Sequence, residues 1–225
     1  MPNEYEDISG RPPEAASLAR LETLGDAIFG FSLTLLALDL RLPDVSPNAL
    51  AQGMLSMLPR LLIFMFTFLV VAQQWDVHQR TVSHITHADS LLVWLYLLSL
   101  MFVVLMPASS DILARYPLQP LSLAFFGANT ALLCLASWGM WRHASHNMRL
   151  LDGSMRPELV RLIDRLWLYP AVLIVLTMPL GFVSVYPVYV LWFLMPVISY
   201  SYSTVLARRK RQRGARHAHA ERKAP

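Results

Sequence analysis

Arg20 to Pro43 reads RLETLGDAIFGFSLTLLALDLRLP. No charge falls between Ala27 and Leu38, and the run is long enough to cross much of a bilayer as a helix. Charges crowd its ends: Arg20, Glu22 and Asp26 before it, Asp39 and Arg41 after it. Asp26 sits inside the segment, where an ionisable group is costly unless it pairs or meets water. Helical spacing puts Phe31, Thr34, Leu35 and Leu38 on one stripe, bulky and apolar with a single hydroxyl. Asp26, Gly30, Leu33 and Ala37 fall on roughly the opposite side, where small residues admit a neighbouring helix. Periodicity alone is equally satisfied if both faces are packing surfaces.

The rest of the chain fits this setting. Of 225 residues 55% are apolar and 15% charged, against roughly 25% charged in soluble domains. Several apolar runs approach the length of a membrane span, which predicts an all-α, polytopic membrane protein. Cys134 is the single cysteine, so there is no internal disulfide, and no Cys/His cluster marks a metal site. No Ser/His/Asp, phosphate-loop or paired-carboxylate arrangement supports an enzyme, and no cofactor is expected.

The runs predict six helices: about Ser17–Leu42, Met54–Val77, Ser90–Ile112, Leu121–Arg142, Leu166–Val185 and Val188–Ala207. Pro157 to Arg165 reads as a possible extension of the fifth, with Pro170 and Pro179 as its kinks. The domain plan is a polar tail at 1–17, a transmembrane unit at 18–207 and a basic tail at 208–225. Of 19 Lys and Arg residues, all but Arg41, Arg60 and Arg115 fall on one side of this plan. The positive-inside rule then puts both termini in the cytoplasm. Trp75, Trp94, Trp138, Trp141 and Trp167 fall toward that side, as interfacial aromatics do. The basic balance lies mostly in the tail after the last helix, which points to membrane lipid rather than nucleic acid.

Lesser candidates divide between two readings. Asp39, Arg41 and Asp111 are either pore-mouth charges or solvated helix ends. His84 and His87, three apart, have a metal-compatible spacing but suit a solvated connector better. His143, His146, His217 and His219 look like loop and tail residues. Tyr200 and Tyr202 read as packing with interfacial hydroxyls.

The first two helices resemble the transmembrane protein 175 family of lysosomal potassium channels and their bacterial relatives. The carriers are Arg20, Asp26, Thr34-Leu35-Leu36 and Pro43, then Thr67-Phe68 and Trp75-x-x-His78. Leu24 and Gly25 depart from the family's Phe and Ser, Tyr96 from its Asn, and Ala108 from its Phe. The resemblance implies six-helix subunits assembled as a homotetramer in the cell membrane, the first helix lining a central pore that passes potassium. It implies that Phe31, Thr34, Leu35 and Leu38 line that pore, with Phe31 at the narrowest ring and Thr34 as the hydroxyl layer. It also implies a network of Arg20, Asp26, Trp75 and His78 behind the pore helix, read as a structural brace or a proton-sensitive latch. A ring of Phe31 plugs a pore more tightly than Ile or Leu. A proton-permeable channel and a non-conducting scaffold or regulator are therefore the competing functions.

Overall fold

The computed structural model describes residues 13–38, 40, 46–146, 150–151, 155 and 157–195, with side chains from Leu18 onward. Asp39, Arg41, Tyr200, Tyr202, His217, His219 and the basic tail lie outside the described residues. Among the described residues, eight α-helices follow one another: α1 Pro13–Leu38, α2 Leu50–Ser56, α3 Leu58–Val82, α4 Ser90–Val104, α5 Met106–Arg115, α6 Pro120–Ser145, α7 Pro157–Thr177 and α8 Val185–Met195. By length and composition, Leu18–Leu38, Leu58–Val82, Ser90–Arg115 and Pro120–Ser145 can each cross a membrane. The protein is a multi-pass helical membrane protein.

Prolines set most of the joints. Pro59 lies in the first turn of α3, and having no N–H it offers Leu55 no hydrogen bond, so the expected second helix breaks at Met57. Pro107 does the same at Leu105, dividing the expected third helix into α4 and α5. Pro157 opens α7, so the stretch Pro157–Arg165 is helical, continuous with the fifth apolar run. Pro170 lies within α7, whereas Pro179 sits in a 3-10 turn, Met178–Phe182. Pro179 thus marks the end of the α-helix and does not kink it.

α6 is the centre of the bundle and packs on α4, α5 and α7. Its span is 61% buried, against 22% for α1. Two of the tryptophans expected at the membrane interface belong to this core: Trp141 and Trp167 are fully buried, as is Trp192. Each spends its indole N–H inside the protein, Trp141 on the Val160 carbonyl at 3.2 Å, Trp167 on the Thr81 hydroxyl at 3.0 Å and Trp192 on the Thr177 hydroxyl at 2.8 Å. Trp75 and Trp94 remain exposed. Gly127 of α6 admits Trp192 closely, since a β-carbon there would lie 2.5 Å from the indole.

One end of the bundle is tied together by its connectors. After α3 the chain passes through Ile85, which bridges to Leu151, while the Thr86 amide donates to the Leu150 carbonyl at 2.8 Å. Asp89 caps α4 by accepting from the Leu92 amide at 2.8 Å, and it also meets the His143 imidazole at 2.8 Å. This pair was not legible in the sequence, where His143 read as a loop residue. His84 contacts the Arg80 carbonyl at 2.6 Å and His87 the Thr86 hydroxyl at 2.9 Å.

Candidate functional site

α1 buries one narrow arc, Gly25, Phe29, Ser32 and Leu36, and leaves a broad one open. Phe31 is 65% exposed and Leu38 60%, with Thr34 exposed between them. Leu35 lies on the flank, half-buried. Gly30 and Ala37, expected on the opposite side, share the open arc with the stripe. The helix period separates these groups by less than half a turn, and the packing of Phe29 and Leu36 decides which arc is covered. The Thr34 hydroxyl donates to the Phe31 carbonyl of its own helix at 2.7 Å. Its proton is spent there, so the oxygen turns lone pairs outward.

At the edge of this arc, the exposed Asp26 meets α3. Trp75 Nε1 donates to Asp26 Oδ1 at 2.9 Å, and Gln79 Nε2 donates to the same oxygen. Gln79 was missed, although it lies one helical turn after Trp75 and so faces the same neighbour. His78 points elsewhere. It is buried, packs on the Phe29 ring at 5.2 Å and meets the Tyr96 hydroxyl through Nε2 at 3.1 Å. Tyr96 donates in turn to the Leu21 carbonyl of α1 at 2.7 Å. Its hydroxyl thus accepts from His78 Nε2–H, and α1, α3 and α4 are joined at one point. Gly25 makes room for this, because a β-carbon at that position would lie 2.2 Å from the Tyr96 oxygen.

Arg20 does not reach the network. It is exposed and makes no hydrogen bond or ion pair among the described residues. Six residues from Asp26, it projects about 120° around the helix. Thr67 of α3 is buried and bonds Ser110 of α5 at 2.9 Å, a tie between helices. Asp111 pairs with Arg115 one turn along α5 at 2.8 Å.

The Trp75 bond predicts a measurable link. Trp75→Phe keeps the ring and removes the N–H, with an expected loss of about 0.5–2 kcal/mol, the range of hydrogen bonds between membrane helices. Thermal unfolding in detergent of this variant, of Asp26→Ala and of the double variant checks it. The two losses should fall short of additivity.

Fold and site define a helical membrane protein whose first helix is the least covered of its four long spans and whose open arc carries a hydroxyl between aromatic and aliphatic side chains. The model of the endosomal/lysosomal potassium channel TMEM175 family matches residues 20–107. A potassium channel of Chamaesiphon minutus is 26% identical over 77% of this chain and 89% of its own length. One from Streptomyces collinus is 28% identical over 59% of this chain and 67% of its own. The fold matches the crystal structure of a lysosomal potassium-selective channel TMEM175 homolog from Chamaesiphon minutus with a TM-score of 0.74, at 22% identity, covering 84% of this chain and 98% of that one. Over residues 20–107 the chain is similar to the TMEM175 family, a family of channels and not of enzymes.

Proposed function

We propose that this protein is a potassium channel of the cell membrane, with the open arc of α1 as its pore lining. Four copies would surround the pore, each with six spans and both termini in the cytoplasm. α7 with its following 3-10 turn, and the helix beginning at Val185, would be the fifth and sixth. Phe31 and Leu38 would form apolar rings that gate by dewetting, and Thr34 the layer between them that replaces part of an ion's water. Leu35 would support that layer from the flank. The observation that carries this reading is Thr34: it is exposed, its proton is committed to Phe31, and its free lone pairs suit a cation. The potassium channels of Chamaesiphon and Streptomyces support the choice of ion. Asp26, Trp75 and Gln79 brace the pore helix at the edge of its open arc, and no cofactor enters beyond the permeant ion.

Potassium flux into liposomes holding the purified protein tests this, with sodium and proton controls. Potassium-driven flux that exceeds sodium flux is the expected result. Current that follows the pH gradient with no permeant metal cation would replace it with proton conduction. Silence from assembled protein and from a Phe31→Ala variant would leave a non-conducting scaffold.

A further inference from the structure

The end of the bundle where α6 stops and α7 begins carries charge that the pore reading does not use. Arg142, Arg161 and Arg165 are all exposed there. None of the three has an acid partner within ion-pair distance among the described residues, unlike Arg80 and Arg115, which pair with Asp76 and Asp111. Asp164, next to Arg165 in the chain and three residues from Arg161 as Glu158 also is, accepts the indole N–H of Trp138 at 2.9 Å. The Arg142 guanidinium lies over the Trp138 ring at 5.9 Å. These contacts place Arg142 and the first turns of α7 beside each other.

The charge stops at a defined level. α7 has no charged residue from Leu166 to Thr177, and one turn past Arg165 the exposed Tyr169 continues the Arg161–Arg165 stripe. The Trp167 bond to Thr81 and the His143 contact with Asp89 put the ends of α3, α6 and α7 and the start of α4 at this same end. Exposed Trp75 and Trp94 therefore sit at this end with Trp138 and Tyr169, an arrangement that suits the headgroup level of a bilayer. Arginine stems lie along apolar surface while their heads reach the phosphate plane.

We propose that Arg142, Arg161 and Arg165 form a binding site for the headgroup of an anionic phospholipid, with Trp138 and Tyr169 against its upper acyl region. Guanidinium matches phosphate by charge and by its forked donors. The site is separate from the α1 arc and does not depend on conduction.

Phosphatidylglycerol titrated into the full-length protein in a neutral detergent, read by native mass spectrometry, tests the site against phosphatidylcholine. The expected result is preferential binding of phosphatidylglycerol that weakens about fivefold for each arginine replaced in Arg142→Gln, Arg161→Gln and Arg165→Gln, with phosphatidylcholine binding unchanged. All three side chains are exposed, and thermal unfolding of the triple variant verifies that it is folded. Equal phosphatidylglycerol binding by wild type and triple variant would overturn the site. So would loss of binding only on neutralising Arg208, Arg209, Lys210, Arg211 and Arg213 in the tail. Displacement of the lipid by millimolar inorganic phosphate would show a free-anion site and also overturn it.

Discussion

Phe31→Ala raises potassium flux by about tenfold or more in liposomes, equivalent to at least ~1.4 kcal/mol removed from the barrier. The Phe31 ring is 65% exposed on the single chain, so nothing within the bundle holds it. In the proposed ring of four first helices it would be the largest group facing the axis. A narrow apolar ring repels water, and an ion that enters must shed hydration with no polar partner to compensate. Alanine widens that ring while Thr34, three residues on, keeps its bond to the residue-31 carbonyl, because a backbone acceptor survives the substitution. Flux should therefore rise while preference for potassium over sodium changes less than it does in Thr34→Val. Unchanged flux through a conducting protein would move the constriction away from residue 31. Stability should fall little, since the ring is not part of the core.

The second large effect is on folding. Gly25→Ala places a β-carbon 2.2 Å from the Tyr96 oxygen, closer than any real contact, and 3.2 Å from His78 Nε2. Tyr96 is 2% exposed, and its hydroxyl is held by Leu21 of α1 and His78 of α3. The variant therefore pushes the hydroxyl off the Leu21 carbonyl and away from His78, and separates α1 from α4. Overpacking costs about 1–3 kcal/mol, and each broken hydrogen bond adds about 0.5–1.5 kcal/mol. Tyr96→Phe alone should cost about 1 kcal/mol. In the Gly25→Ala background, however, it removes the clashing atom and should restore part of the loss. Thermal unfolding of the single and double variants reads this directly. Additive losses would mean that the helices adjust around the β-carbon without involving Tyr96.

The same pair shows where reading the sequence stopped. Gly25 and Tyr96 each stood out as a departure from the family pattern, but 71 residues of chain separate them, and only the packing of α4 on α1 reveals that one makes room for the other. The Asp26–Trp75 contact was legible, because helices that run in opposite directions bring residues near the same membrane face to one depth. The resemblance puts His78 in the same network, and its place three residues after Trp75 gives it a similar depth. Depth says nothing about azimuth, and three residues from Trp75 its ring turns inward to Phe29 and Tyr96. The stripe on α1 was legible for a related reason and misjudged for another. Periodicity groups Phe31, Thr34 and Leu38, but it does not say how wide the covered arc is. Gly30 and Ala37 therefore joined the open side. Pro59, Pro107 and Pro179 mark helix breaks that the apolar runs hide, since hydropathy continues across a missing N–H. Trp141 and Trp167 misled because an indole near a helix end suits a bilayer interface and a bundle core equally. Their buried N–H partners, Val160 and Thr81, are distant in sequence.

The ties that hold α1 have a mechanical consequence. Its hydrogen bonds to α3 and α4 enter at Asp26, in the middle of the helix, and at Leu21 before it, while packing by Phe29 and Leu36 guides the remainder. The helix is clamped like a cantilever. Phe31 lies about 7.5 Å beyond Asp26 along the axis and Leu38 about 18 Å. A tilt of about 5° about the clamp therefore moves Phe31 by only ~0.7 Å but Leu38 by ~1.6 Å, given those lengths. Small strains near the clamp grow with distance along the helix, so residue 38 travels farther than residue 31.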